Sequence, residues 1–282
     1  MASAQVPLFC DTALARRIER AEATLIAASS EAARRRGAAP PGFAMPLAGG
    51  VASFADEDSP FNKVAGLGFD GVPAQAELEE VERRFSACGA GVQVELSNLA
   101  DPEVGAQLTA RGYRLVSFEN VLGIAIAEPP EQVTPPGVQI RRSGDDELAA
   151  WLDVVITGFA HGDDQGVPSH EAFPREALEK AQRDFAAAGV RRYIALRNGI
   201  PAGGASFGVT DGVAQMAGAA TAPAHRRRGI QSALLAARLA DAVAEGCDIA
   251  VVTTQPGSVS QRNVQRSGFD LLYTRAILVR QP

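Results

Sequence analysis

The chain has 282 residues, of which 46% are hydrophobic and 21% charged, and its net charge at pH 7 is −6. That length is comfortable for two globular domains, and the acidic balance argues against a general nucleic-acid binder. The three cysteines form no CxxC pair, and the three histidines show no ligand spacing. We therefore expect neither a disulfide framework nor a metal site. The absence of disulfides would fit a reducing compartment.

No stretch of the sequence suits a membrane or a secretory route. The first ten residues lack the basic region and long apolar run of a signal peptide. The longest apolar runs, such as 121–127, are far too short to span a bilayer. We expect a cytoplasmic protein that does not bind membranes.

The first half of the chain alternates helical and strand patterns. In chain order it predicts a helix over 11–36, strands within 43–70, a helix over 73–87, a strand over 92–96, a helix over 101–112, and one or two strands over 113–127. Asp11 or Thr12 is the expected cap of the first helix.

One glycine-rich stretch in this half imitates a nucleotide site. Gly66-Leu-Gly-Phe-Asp-Gly71 satisfies the dinucleotide-binding pattern G-x-G-x-x-G. Chance matches are common in a chain with 28 glycines, and the βαβ repeat that such a fold needs is absent. We interpret the stretch as a strand end and a turn.

A proline-rich segment separates the two halves. Residues 128–137 contain four prolines, which neither a helix interior nor a central strand accommodates. We interpret this segment as a stiff linker and place the domain boundary there.

The second half predicts a longer series of elements. In chain order these are a strand over 138–141, helices over 145–159 and 173–188, strands over 193–197, 202–209 and 213–221, a helix over 230–245, a strand over 248–254, a helix over 258–267 and a strand over 269–279. Asn198-Gly199 marks a hairpin turn between two of the strands. A polar loop over 161–170 joins the first two helices.

The junction before the helix over 230–245 suits an anion. Its sequence is His225-Arg-Arg-Arg-Gly229. The first turn of a helix leaves backbone N–H groups without intrahelical partners and carries partial positive charge. The arginines add full charges, and Gly229 has no Cβ to hold a ligand away from the backbone. The pattern predicts a phosphate or pyrophosphate ligand.

The same residues carry a family resemblance. Arg226-Arg-Arg-Gly-Ile-Gln231 resembles the Arg/Gln-x-x-Gly-x-Gly/Ala signature of the GNAT superfamily, the acyl-CoA-dependent N-acetyltransferases. Gln231 departs from the pattern, but its backbone N–H is still available. The order of elements over about 137–282 is the GNAT order, and Gly268-Phe269 after a helix bearing Asn263 resembles the family's C-terminal motif. The alternative is a basic helix start that merely caps a core helix.

The first half of the chain echoes the second. Gly112-Tyr-Arg-Leu matches Gly268-Phe-Asp-Leu, and the same offset superposes a strand and a helix of the two halves. We infer an α+β fold of tandem GNAT-like domains, each a central mixed, mostly antiparallel sheet flanked by helices. The expected divisions are a degenerate GNAT-like domain over 1–127, a linker over 128–137, and an acetyl-CoA-binding catalytic domain over 138–282.

The first of these domains is expected to have lost its site. Pro73 falls where Gly229 lies in the second half, and proline lacks the N–H that a phosphate would use. No arginine cluster precedes it. Two unrelated α+β domains are the alternative to a tandem.

The resemblance implies a set of cofactor contacts. Backbone N–H groups would hold the pyrophosphate of acetyl-CoA at Arg227, Arg228, Gly229, Ile230, Gln231 and Ser232. The backbone of Ala219, Ala220 and Thr221 would pair with the pantetheine arm and polarise the acetyl carbonyl. Asn263 resembles the family's cofactor-side asparagine, or is a surface or capping amide. Arg226 is expected to be a surface residue.

The chemistry needs a proton acceptor for the amine and a proton donor for the leaving thiolate. Many relatives carry a glutamate on the central strand, but 213–221 has no acidic residue, and Gln215 is its main polar side chain. A water relay or another carboxylate must take the proton. Tyr273 is the best candidate for the donor, or else a half-buried strand aromatic. Ser258 and Ser260 are other donors, or helix caps.

The polar loop lies where relatives often bind the acceptor. It contains His161, Asp163, Asp164 and His170. The two adjacent acids would attract an ammonium group, or are simply solvated.

Three functions compete. The first is an N-acetyltransferase that moves an acetyl group from acetyl-CoA to a primary amine of a small molecule or peptide. The second is a non-catalytic acyl-CoA-binding regulatory protein, suggested by the missing strand carboxylate. The third is nucleic-acid binding through 226–228, which the acidic total disfavours. The expected partners are acetyl-CoA and an amine, without metal, nucleic acid or membrane, and a homodimer is compatible with the sequence.

Overall fold

The computed structural model describes residues 7–161 and 165–282. In the first half, the helices and strands are α1 (Thr12–Arg36), β1 (Phe43–Leu47), β2 (Gly50–Phe54), β3 (Lys63–Ala65), α2 (Gln75–Ala87), β4 (Val92–Ser97), α3 (Pro102–Ala110) and β5 (Arg114–Ala125). In the second half, they are β6 (Val138–Arg142), α4 (Leu148–Ala160), α5 (Arg175–Ala187), β7 (Arg191–Arg197), β8 (Ile200–Thr210), β9 (Val213–Thr221), α6 (Ile230–Ala244), β10 (Ile249–Thr254), α7 (Val259–Arg266) and β11 (Asp270–Arg280).

All these strands belong to one mixed sheet. Their order across the sheet is β1-β2-β3-β4-β11-β5-β10-β9-β8-β7-β6. Only the pairs β3–β4 and β9–β10 are parallel. The predicted α+β class, with a mostly antiparallel sheet flanked by helices, is therefore confirmed. The sheets of the two lobes are continuous with each other.

The two lobes exchange their last strands. β11 inserts between β4 and β5 of the first lobe, and β5 pairs with β10 of the second. The centre of the sheet is the antiparallel β5–β11 pair, in which Arg275 lies opposite Glu119. The segment between β5 and β6 has no helix or strand. Each lobe depends on the other lobe's strand to complete its sheet.

Helices cover both faces of the sheet. On one face, Trp151 and Val155 of α4 lie close to Gly204 of β8. On the other face, Ile230 and Leu234 of α6 lie close to Gly203, the preceding residue of the same strand. α1 lies on the α4 face and packs against strands of both lobes, including β2 and β8. α2 packs with β4 through the core that contains Leu78, Val81, Val92 and Val94.

The first helix also ties the two lobes together. Asp11 caps it by accepting from the backbone N–H of Leu14 at 2.8 Å, which confirms one of the two expected caps. At its other end, Arg36 donates to Asp184 of α5 at 2.9 Å and to Asp56 at 3.1 Å. Within the described ranges, no helix is long and apolar enough to cross a membrane.

Candidate functional site

The cleft opens where β9 and β10 separate. These parallel strands pair only as far as Met216 and Val252, although β9 continues to Thr221 and β10 to Thr254. The edge of β9 that faces β10 is therefore unpaired over 217–221, the stretch that contains the predicted Ala219, Ala220 and Thr221. Unpaired strand edges offer backbone donors and acceptors to an extended ligand.

A bulge shapes this free stretch. The register between β8 and β9 shifts between Gly204 and Ser206, which lie opposite Ala220 and Ala217 respectively. Gly218, inside the shift, has φ +58°, a left-handed conformation that glycine adopts readily. The bulge redirects the backbone of β9 at the point where the strands diverge.

Six consecutive N–H groups are free at the start of α6. Among the described residues, no acceptor bonds the backbone N–H of Arg227, Arg228, Gly229, Ile230, Gln231 or Ser232. Arg227 and Gly229 have φ +59° and +75°, and left-handed residues in such a turn direct successive N–H groups to one concave side. The side chains of Arg227 and Arg228 are exposed and form no hydrogen bond or ion pair within the described chain. Together these groups form a positively charged cradle of free donors, an arrangement that suits a polyphosphate.

Gly229 is required by both its conformation and its surroundings. A Cβ at this position would lie 2.9 Å from Cγ of Pro135. The proline-rich linker thus packs against the outside of the anion loop. A side chain at residue 229 would have to move Pro135 as well as adopt a strained φ.

Arg226 differs from the expected surface residue. Its guanidinium donates to the backbone carbonyls of Thr221 at 3.4 Å, Gly158 at 3.2 Å and His161. The side chain is half-buried and ties the anion loop to the C-terminal end of α4. Arg226 therefore positions the loop.

The described part of the first lobe, from residue 7 onward, has no comparable cradle. The backbone N–H of Ala74, at the start of α2, donates to Oε2 of Glu77 at 2.8 Å. A carboxylate of the chain itself therefore occupies the helix start that a phosphate would need, and it adds negative charge there. β3 also ends at Ala65, so no free strand extends beyond its pairing with β4.

The helix α7, which follows β10, carries three further polar residues that the sequence analysis singled out. Asn263 is exposed, and its side-chain amide has no partner among the described residues. Ser258 caps the helix by accepting from the N–H of Gln261 at 3.1 Å, so the cap reading fits it better than a proton donor. Ser260 is exposed on the first turn.

Tyr273 lies in the core, away from the cleft. Its side chain is 4% exposed, and its hydroxyl donates to Oε1 of Glu19 at 2.7 Å. Burial raises the pKa of Tyr273 well above its ordinary value, and the charge of Glu19 adds to the effect. A hydroxyl held this way is a poor donor to a thiolate in the cleft.

Gln215 is also engaged. The buried side chain donates to the backbone carbonyl of Ala21 in α1 at 3.1 Å. It fastens α1 to β9, and a neutral amide is too weak a base to take a proton from an ammonium group.

Two buried polar residues near the cleft were not predicted from the sequence. The buried hydroxyl of Thr254 has no partner among the described residues, although it ends β10 beside the open cleft. Arg238 of α6 is buried and donates to the carbonyls of Ser206 at 2.9 Å and Ala217 at 3.5 Å. Burial lowers the pKa of Arg238 to about 10. An arginine at a core-facing helix position, between Leu234 and Leu239, is the signal that marks it.

The polar loop after α4 reaches the first lobe. His170 Nε2 lies 3.0 Å from Oε1 of Gln93 in β4, and the N–H of Val167 donates to the carbonyl of Pro256 at 3.1 Å. His161 is exposed and its Nδ1 lies 2.9 Å from the carbonyl of Thr157. Asp163 and Asp164 lie outside the described residues.

Comparisons with known proteins agree with this architecture. The sequence model of the Acetyltransferase (GNAT) family matches residues 150–269. A GCN5-related N-acetyltransferase from Kribbella flavida is 20% identical with a TM-score of 0.64, over 92% of this chain and 96% of that one. A tandem GNAT protein from the clavulanic acid biosynthesis pathway is 13% identical with a TM-score of 0.60, over 98% and 97%.

A GCN5-related N-acetyltransferase from Sphaerobacter thermophilus is also similar, at 18% identity and a TM-score of 0.54, over 74% of this chain and 67% of that one. No curated protein matches the chain by sequence. At these identities the structures show a shared fold.

The sequence model identifies an acetyltransferase domain of the GNAT family over residues 150–269, which makes the protein an acyltransferase. The whole chain has the tandem GNAT fold.

Proposed function

We propose that this protein is an N-acetyltransferase that moves an acetyl group from acetyl-CoA to a primary amine of a small molecule or peptide. The observation that carries the proposal is the row of six unbonded N–H groups over 227–232, directly beside the open edge of β9. A linear ligand with a pyrophosphate and an amide-rich arm matches both features at once.

Different residues would bind different parts of acetyl-CoA. The backbone over 227–232 binds the pyrophosphate, with the guanidinium groups of Arg227 and Arg228 adding charge. The open edge at Ala219, Ala220 and Thr221 pairs with the arm, and Asn263 and Thr254 offer hydrogen bonds from the far side. Acetyl-CoA supplies an activated thioester, and a backbone N–H of the bulge would polarise its carbonyl.

One observation favours a second function, a non-catalytic acyl-CoA-binding protein. Gln215 is engaged with α1 and Tyr273 with Glu19, so β9 and the predicted donor provide no acid or base in the cleft. A protein that kept the cradle but lost the chemistry would bind acetyl-CoA without releasing thiol.

Thiol release from acetyl-CoA in the presence of a set of primary amines tests the proposal. We expect amine-dependent release by the wild-type protein. The variant that tests the cradle is Gln231→Glu, which places a carboxylate there without increasing the size of the side chain. Release that is unchanged in this variant would contradict the assigned cradle, and saturable binding without release on any amine would support the alternative.

A further inference from the structure

The strand contributed by the first lobe brings a carboxyl group to the mouth of the cleft. In the β5–β10 pair, Asn120 lies opposite Thr254 and Val121 opposite Thr253. Glu119 is therefore one residue beyond the end of β10 and faces the same side of the sheet as Thr253. Diagonal neighbours of this kind are about 7–8 Å apart between Cα atoms.

This face of the sheet is open at that point. Thr253 is exposed, although β10 is an interior strand with neighbours on both sides. Val251, two residues earlier on the same face, is buried in the core that contains Tyr273. The floor of the cleft therefore begins at Thr253 and continues toward Glu119, on the face opposite α6.

Glu119 has no hydrogen-bond or ion-pair partner within the described residues, because its neighbours are engaged elsewhere. Arg275, directly opposite, donates to Glu19 at 2.7 Å and to Glu22 at 2.6 Å. Lys63 bonds Glu95. Both cations near Glu119 are thus neutralised, and the half-buried carboxyl group is left to bind something else.

The loop after α4, here called the rim, runs from the end of β10 to β4 and so crosses the strand that carries this carboxyl group. It is fixed at one end by Val167 to Pro256, just past β10, and at the other by Glu171, which accepts from Nε2 of Gln93 in β4 at 2.7 Å. Because β5 and β11 lie between those two attachment points, the loop crosses above them. The rim belongs to the second lobe, and the floor that carries Glu119 to the first.

We propose that Glu119 binds the ammonium group of the acceptor and takes its proton, so that the exchanged strand of the first lobe completes the acceptor site of the second. This inference rests on the proposed acetyl transfer. It assigns the acceptor to the class of cationic primary amines, bound between the exchanged strand and the loop over 165–171.

The proton balance is simple. The ammonium gives one proton to the Glu119 carboxylate, directly or through one water, and the free amine attacks the acetyl carbon. A C–N bond forms and the C–S bond breaks. The second amine proton leaves the tetrahedral adduct and ends on the departing thiolate, and Glu119 then returns its proton to solvent.

The electrostatic surroundings agree with this role. Burial, followed by the charge of Glu95, raises the pKa of Glu119 to about 8, while Lys63 and Arg275 oppose the effect. Glu22 adds to the rise. A carboxyl group with such a pKa is a stronger base than an ordinary glutamate, and a bound ammonium would restore its charge.

The direct test is Glu119→Gln, with Glu57→Gln as the matched control because Glu57 is exposed and unpaired within the described chain. Thiol release is measured with butylamine, 1,4-diaminobutane, spermidine and a lysine-containing tripeptide. We expect kcat to fall about 100-fold or more in Glu119→Gln, as for loss of a general base, with acetyl-CoA affinity unchanged. Glu119→Asp should retain part of the rate.

The pH profile separates this role from a structural one. Wild-type kcat/KM should rise through an apparent pKa near 8, and that limb should disappear in Glu119→Gln. Equal rates in Glu119→Gln and Glu57→Gln would overturn the inference. It would also be overturned if the wild-type protein bound acetyl-CoA but acetylated none of the four amines. Failure to bind acetyl-CoA would instead refute the proposed function.

A second measurement needs neither acceptor nor cofactor. In protein labelled with ¹³C at glutamate carboxyl groups, one resonance should titrate near pH 8 and be missing in Glu119→Gln. A Glu119 resonance that titrates near the ordinary value of 4.5 would overturn the inference even in a protein that is fully active.

Discussion

Replacing Arg275 by methionine should destabilise the whole protein by about 3–5 kcal/mol, the cost of removing one partner from a buried ion pair. Arg275 is 1% exposed and bonds Glu19 and Glu22 of α1, with Glu95 at 3.5 Å. Without it, Glu19 keeps only the hydroxyl of Tyr273. Because burial raises the pKa of Glu19, the carboxyl group takes up a proton more readily, so the loss should be smaller at low pH.

Urea unfolding measures this cost with two signals. Far-ultraviolet circular dichroism follows both lobes, whereas fluorescence follows Trp151, the single tryptophan, which is buried in α4. Arg280→Met is the matched control on the same strand. Its side chain is 39% exposed and pairs with Glu82, so its loss should cost less than about 1 kcal/mol.

Because the lobes exchange strands, the two signals should shift together in Arg275→Met. A loss no larger than that of Arg280→Met would refute the reasoning about the buried cluster. Separate midpoints for the two signals would show that the lobes unfold independently. That result would contradict a sheet shared by both lobes.

Three further predictions concern the site and its surroundings. Arg228→Met should weaken acetyl-CoA binding about tenfold or more and reduce its salt dependence, since a hydrogen bond to a charged group contributes about 1.5–3 kcal/mol; titration at two salt concentrations checks this. Tyr273→Phe should lower stability by about 1–3 kcal/mol and leave kcat unchanged, whereas a large fall in kcat would restore the tyrosine as proton donor. Between pH 4.5 and about 8, folded Glu119 holds a proton that the unfolded chain has lost, so stability should fall as pH rises, and Glu119→Gln should remove that part of the slope in urea midpoints.

The free N–H groups at the start of α6 were predictable because their causes are local. A glycine before an apolar helical pattern and a run of arginines specify a free helix start without reference to distant residues. The family resemblance led us to expect that the backbone of Ala219, Ala220 and Thr221 would be open to a ligand. In the structure, the edge of β9 that faces β10 is unpaired at these three residues. The separation of β9 from β10 has no local signal, since both strands continue past their last paired residues.

The strand exchange was beyond the sequence for a physical reason. β5 and β11 follow the same pattern, Gly-Tyr and Gly-Phe, and strand pairing is decided by partners far away in the chain. Tyr273 was the best candidate for the proton donor, but the alternation of β11 turns it toward α1 with Arg275. Glu119 could not be assigned to the second lobe's cleft for the same reason, because it lies before the linker.

A calorimetric titration with acetyl-CoA tests the central claim, that the chain binds one acetyl-CoA at the start of α6. The comparison is wild type against Gln231→Glu in the cradle and Glu77→Gln at the corresponding helix start of the first lobe. We expect one molecule bound per wild-type chain, at least tenfold weaker binding in Gln231→Glu with no loss of thermal stability, and unchanged binding in Glu77→Gln. Equal affinity in wild type and Gln231→Glu, or two molecules bound per chain, would contradict the account.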